Sequence, residues 1–231
     1  MMEVLFPYRC PICDRILSGG MVFCPMCAKT LPFMEEPRCK VCGKHMEDDE
    51  EALCEDCGKI PHSFIQSRAA FMYTGKVRRS LYRFKYGGRR GYAKGYARGF
   101  ALKNGEWIRE IRPDVIVPIP LHRKRQRQRG YNQALCLGRE LSLALHIPLR
   151  DVLVRTRETA PQKRLSRDSR KKNLKNAFQI DKDGVQYIQY EHVLVVDDIY
   201  TTGSTLDEAA QVLMSHGAEG IYGAVCAIGT G

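Results

Sequence analysis

The chain has 231 residues, 44% hydrophobic and 27% charged, which suffices for one ordinary core plus a small appendage and excludes a disordered chain. Its formal net charge of +11 is unevenly placed: residues 1–60 hold seven basic and eleven acidic side chains, residues 61–231 the other thirty and fifteen. Two modules are therefore expected, 1–60 and 61–231, and the basic one invites phosphate, nucleotide or nucleic acid. The start, MMEVLFPYRCPIC, lacks the basic-then-apolar order of a secretory signal. The longest apolar runs fall far short of the ~20 residues that span a bilayer, so a cytoplasmic protein with no membrane insertion is expected.

In residues 1–60, eight of the ten cysteines form four Cys-x-x-Cys pairs: Cys10/Cys13, Cys24/Cys27, Cys39/Cys42 and Cys54/Cys57. Each such turn points two thiolates at one tetrahedral ion, so two structural Zn²⁺ sites are expected. A reducing compartment disfavours disulfides, and a redox dithiol usually comes as one pair. Sequential pairing puts Cys10, Cys13, Cys24 and Cys27 on one ion and Cys39, Cys42, Cys54 and Cys57 on the other; an interleaved arrangement satisfies the same spacing. Few large apolar residues separate the pairs, so metal is expected to supply most of this segment's folding free energy. His45 and His62 read as surface residues. The acidic run Glu47–Glu51 reads as a solvated loop, which makes protein docking or a structural role at least as good a reading as DNA contact.

Residues 61–112 form a basic bridge. Ser63–Tyr73 suits a strand, and ten basic residues with no acidic one run from Lys76 to Lys103. Val77, Leu81 and Phe84 recur at helical spacing, which places Arg78, Arg79, Arg83 and Lys85 on or beside the opposite face. With Tyr82, Tyr86, Tyr92, Tyr96 and Phe100 interleaved, these four cations are candidates for single-stranded nucleic acid; the plainer reading packs the aromatics inward. Gly91, Gly95 and Gly99 recur every fourth residue, as in a helix packed closely on a neighbour.

From Asp114 strands and helices alternate: a strand at Val115–Ile119, a helix at Asn132–Leu145 capped by Asn132, and a strand at Val193–Val196. A helix at Ser204–Ser215 ended by Gly217 and a strand at Ile221–Ile228 follow. The pattern predicts an α/β fold, a parallel sheet flanked by helices. Leu135, Leu141 and Leu145 mark the apolar side of the first helix. Cys136 and Cys226 lie in apolar stretches and read as core residues.

The most informative stretch is Val193–Thr205, VLVVDDIYTTGST. A strand ends in Asp197 and Asp198, and a Thr/Gly/Ser loop then opens a helix. Backbone N–H groups and hydroxyls at a helix N-terminus suit a phosphate, while the carboxylates suit vicinal ribose hydroxyls nearby. The stretch resembles the phosphoribosyl-diphosphate (PRPP) motif of type I phosphoribosyltransferases. Pro118-Ile-Pro-Leu-His122, Arg129-Gly-Tyr-Asn-Gln-Ala134, then Gln162, Leu165, Arg170, Asn173 and Ala177-Phe178 resemble the ComF family, associated with competence and DNA uptake.

That resemblance implies PRPP with Mg²⁺ as ligands. Asp197 and Asp198 would hold the ribose hydroxyls, directly or through Mg²⁺, and Thr201, Thr202, Gly203, Ser204 and Thr205 would cradle the 5-phosphate. Ile119, Pro120, Leu121 and His122 would face the pyrophosphate. Residues 155–175 would be a mobile basic loop that closes over the reacting centre. Among Arg123, Lys124, Arg125, Arg127 and Arg129, the last is the best placed for an anion. The chemistry implied is transfer of a phosphoribosyl group to an unidentified nitrogenous acceptor. The alternative is PRPP sensing or nucleic-acid or protein binding without turnover, with single-stranded DNA, a competence helicase or another DNA-uptake protein as partner.

Overall fold

The computed structural model describes residues 7–48, 50–157, 176–187, 189 and 191–229. Its centre is a sheet of four parallel strands in the order β1-β6-β5-β2: β1 (Gln66–Met72), β2 (Val115–Pro118), β5 (His192–Tyr200) and β6 (Gly220–Ile228). A short antiparallel hairpin, β3 (Leu153–Arg155) with β4 (Phe178–Ile180), lies outside it and was not foreseen. Helices α1 (Gly75–Tyr86), α2 (Tyr92–Ile111), α3 (Arg123–Arg129), α4 (Gln133–Leu145) and α5 (Ser204–Met214) complete the described frame. α2 and α4 pack one face of the sheet, α5 the other.

Coverage on both faces explains the unbroken apolar run of β5. Leu194 and Val196 enter the core beneath α2 and α4, while Val193 and Val195 enter the core beneath α5. β5 does not stop at Val196: pairing with β6 carries it through both aspartates to Tyr200, opposite Ile228. The buried stripe of α4 is Ala134, Leu137, Gly138 and Leu141, with Leu135 and Leu145 only partly covered. Asn132 caps that helix by accepting the Ala134 N–H at 3.0 Å.

The cysteine-rich segment is built into this frame. Cys10, Ile12, Leu17 and Cys24 belong to the core beneath α2, and Met34, Cys39, Cys42 and Cys57 to the core on the α5 face. Gly95 of α2 allows the first contact, and Gly99 admits the ring of Phe71 from β1. A Cβ on Gly95 would stand 2.7 Å from Pro11 Cγ, and one on Gly99 would stand 2.5 Å from Phe71 Cζ. Arg89 and the Tyr92 hydroxyl both reach Asp14, at 2.8 and 2.7 Å.

Of the five interleaved aromatics, Tyr92, Tyr96 and Phe100 are buried, whereas Tyr82 and Tyr86 remain 59% and 53% exposed. No helix among the described residues is long and apolar enough to cross a membrane.

Candidate phosphate site and metal centres

β2 leads into α4 on one face of the sheet, and its neighbour β5 leads into α5 on the other. Ligands of open α/β sheets bind where adjacent strands part company in this way, outside their carboxyl ends. The two ends here are Ile119–His122 and Asp197–Thr205. Ile119 is pinned on both sides: its N–H donates to Val196 O at 2.9 Å, and its carbonyl accepts Asn132 Nδ2 at 3.0 Å. Pro120 is buried, and His122 N-caps α3, its Nδ1 accepting the Lys124 N–H at 3.4 Å.

Asp197 Oδ1 accepts the Asp198 N–H at 2.7 Å. Enclosure first, and the neighbouring Asp198 carboxylate second, push Asp197 up to about 7. Asp198 is 9% exposed and meets Lys85, Nζ to Oδ1, at 3.0 Å. Burial works against the charge on Lys85, but Asp198 outweighs it and the ammonium is held above its usual range.

Lys85 therefore does not share the exposed face of α1 expected for it. Its side chain is 19% exposed and turned into the site. Arg83 is likewise turned inward, its Nη2 donating to Ile12 O of the cysteine-rich segment at 2.8 Å. Arg78 and Arg79 are exposed. The reason is periodicity: Lys85 stands four residues after Leu81, on the buried side of the helix.

Arg129 donates to Gln133 Oε1 at 3.0 Å and to Tyr86 Oη at 3.1 Å, its guanidinium 4.9 Å above the Tyr86 ring. It stands within electrostatic reach of both Lys85 and Arg155. Arg155 belongs to β3 instead of opening a loop; burial, then Arg125, lower it to about 10 while Asp197 opposes the shift. Residues 158–175 of the expected mobile loop lie outside the described residues. Lys85, expected on a nucleic-acid-facing stripe, and Arg155, expected at the start of the mobile loop, thus both stand within electrostatic reach of the aspartate pair.

The Thr201–Thr205 loop opens α5. Gly203 takes a left-handed φ of 78°, and Thr202 Oγ1 lies 3.0 Å from Ser204 Oγ. Thr201 is exposed and Thr202, Ser204 and Thr205 are half-buried. A cleft of about 270 Å³ adjoins the loop, running from Thr201 and Thr202 past Tyr200 and Tyr73 to Lys44. His62, expected on the surface, is buried beneath the loop, its side chain 2% exposed. Cys226 is buried in the core, where desolvation holds its thiol well above the usual range.

The cysteines gather sequentially. Cys10, Cys13, Cys24 and Cys27 form one set and Cys39, Cys42, Cys54 and Cys57 the other, with the sulfur atoms of each set within 4.8 Å of one another. Cys13 Sγ–Cys24 Sγ and Cys42 Sγ–Cys54 Sγ are both 3.6 Å. Tetrahedral zinc with Zn–S of about 2.3 Å implies an edge of roughly 3.8 Å, so both sets fit Zn²⁺.

Matches to family models agree with both halves of this picture. A double zinc ribbon domain matches residues 1–58 and a phosphoribosyl transferase domain matches residues 131–229. The molecule is thus a double zinc ribbon fused to a phosphoribosyltransferase-type parallel sheet. Competence protein F of Haemophilus influenzae is 44% identical over 47% of this chain and 48% of its own. DNA utilization protein YhgH of Escherichia coli is 44% identical over 47% of each chain, and competence protein ComFC of Bacillus subtilis 29% over 66% of this chain and 59% of its own. Over the matched residues the chain is similar to these competence and DNA-utilization proteins, and it spans about half the length of the first two. A purine phosphoribosyltransferase from Pyrococcus horikoshii Ot3 superimposes with 21% identity over 58% of this chain and 73% of its own, at a TM-score of 0.36.

Proposed function

We propose that this chain binds PRPP with Mg²⁺ at the carboxyl edge of its sheet and acts in DNA uptake or utilization, transferring the phosphoribosyl group to an acceptor. The observation that carries this reading is the arrangement at the β2/β5 switch point: two adjacent carboxylates, a helix-opening Thr/Gly/Ser loop and converging cations. The N–H groups of the loop suit the 5-phosphate, and Asp197 and Asp198 the ribose hydroxyls. The pair also offers hard oxygen donors of the kind Mg²⁺ takes alongside substrate phosphates, and that ion would neutralise charge on the leaving pyrophosphate. Arg129 and Arg155 are the cations placed to oppose the same charge, and the Ile119–His122 loop is the adjoining wall.

A second reading keeps PRPP binding but not turnover. It is favoured by the Lys85–Asp198 pair, which ties the proposed ribose carboxylate directly to α1. The outer side of α1 carries Arg78, Arg79 and the exposed Tyr82 and Tyr86, whose rings are 5.0 Å apart. Arg129 already covers the Tyr86 ring, so Tyr82 is the open aromatic, and its combination with Arg78 and Arg79 suits single-stranded DNA; a DNA-uptake protein is the other partner class.

Calorimetric titration of zinc-loaded protein with PRPP and Mg²⁺ tests both readings. Saturable one-to-one binding is expected, lost in Asp198→Asn with zinc content unchanged; that variant also leaves the Lys85 ammonium without its partner and should unfold at a lower temperature. Unaltered affinity in that variant would remove the ribose assignment. Pyrophosphate release on addition of nitrogenous acceptors separates transfer from sensing.

A further inference from the structure

The Thr201–Thr205 loop rests on a polar cluster that the proposed reaction does not use. His62 Nδ1 lies 2.9 Å from Asp207 Oδ2, and Asp207 Oδ1 accepts the Ser63 N–H at 2.8 Å. Asp207 sits in the first turn of α5, and its own N–H donates to Gly203 O at 2.9 Å. A carboxylate on Nδ1 fixes the proton there, which in the neutral ring leaves Nε2 to accept from the Tyr200 hydroxyl 3.5 Å away. The backbone turn sits directly on these groups. A Cβ on Gly203 would stand 2.6 Å from Tyr200 Oη and 2.7 Å from His62 Cε1.

The same cluster reaches the second zinc ribbon. His62 follows Cys57 by five residues. Its ring stacks on Phe64 with centroids 4.6 Å apart, and Phe64 meets Tyr200 edge-on at 6.3 Å. Phe64 and Tyr200 share their apolar core with Cys39, Cys42 and Cys57. One side of the cluster is therefore ribbon and the other is loop.

We propose that His62 is a positioning residue: through Asp207 and Tyr200 it fixes the backbone of the phosphate loop and seats that loop on the second zinc ribbon. The ligand named in the test rests on the PRPP reading above. The positioning role does not.

The test compares His62→Ala, His62→Asn and the milder Asp207→Asn in zinc-loaded full-length protein. Amide hydrogen exchange is read over residues 200–207 without ligand, and PRPP with Mg²⁺ is titrated by calorimetry. In His62→Ala the loop amides should exchange faster and PRPP affinity should fall about tenfold, the scale of one buried bond to a charged group. Asp207→Asn should follow it. His62→Asn, whose side-chain N–H replaces the Nδ1 donor, should recover most of both losses. Loop exchange in His62→Ala or Asp207→Asn equal to wild type overturns the proposal, whether or not PRPP binds. So does His62→Asn as defective as His62→Ala, since the bond to Asp207 would not then be what holds the loop. Exchange that tracks His62 in a protein that never binds PRPP would sink the ligand and leave the positioning role standing.

Discussion

Two neighbouring carboxylates at the end of β5 have different surroundings. Asp198 has Lys85 at 3.0 Å, whereas Asp197 has enclosure and a charged neighbour that push it up to about 7. The unfolded value for an aspartate is about 3.9, so between roughly pH 4 and 7 the folded protein holds a proton that the unfolded chain has released. Stability of the ligand-free protein therefore falls across that window as pH rises, and the loss is complete above it. Asp197→Asn removes the titration. Its thermal midpoint relative to wild type should be higher at pH 8 than at pH 5, measured on ligand-free, zinc-loaded protein. A gap that is equal at both pH values would remove the raised Asp197.

Elements declare their buried face through spacing, and α1 shows both the power and the limit of that signal. Val77, Leu81 and Phe84 are buried as their period predicts. Lys85 stands on the same side, but a lysine in a basic run reads first as a solvated charge, and only the tertiary partner Asp198 reveals otherwise. Arg155 hid for a similar reason. A three-residue strand with an alternating buried–exposed–buried pattern is too short to stand out beside the basic residues that follow it. The DDIYTTGST stretch was legible because strand, acidic pair and helix-opening loop are contiguous in sequence, whereas Lys85, Arg155 and His62 arrive from other elements. In α2 the glycine repeat reads correctly at two of three positions: Gly95 and Gly99 meet Pro11 and Phe71, and Gly91 faces open space. Phe71 is fully buried and stacks on Phe33 at 5.1 Å, so its ring has little room to give. Gly99→Ala should cost about 1–3 kcal/mol in chemical denaturation, and Gly91→Ala none of that overpacking cost.

At the scale of the molecule, the charge split near residue 60 separates two sequence modules but not two cores. The cysteine-rich segment enters the apolar core on both faces of the sheet, and it also covers an edge. β1 is an outer strand, and residues 32–41, running from between the ribbons into the first cysteine turn of the second, pair with it. Met34 N–H donates to Ala70 O at 3.0 Å, Met72 N–H to Pro32 O at 2.8 Å, and Ser67 N–H to Val41 O at 2.7 Å. Phe33 bridges Phe71 in the antiparallel sense. An uncovered parallel edge of this kind, with a buried apolar face, is a template for association between chains. Metal thus holds more than its own segment: by fixing the two ribbons it fixes the strap between them, and the strap closes the sheet. Stripping zinc with a chelator should accelerate amide exchange at Ser67 and Met72 before the central strand β5 responds. It should also produce concentration-dependent association visible by light scattering, reversed when zinc is restored early. If the β1 amides remain protected in metal-free protein while residues 7–60 lose their structure, the strap is held by its own packing and the ribbons are an independent appendage.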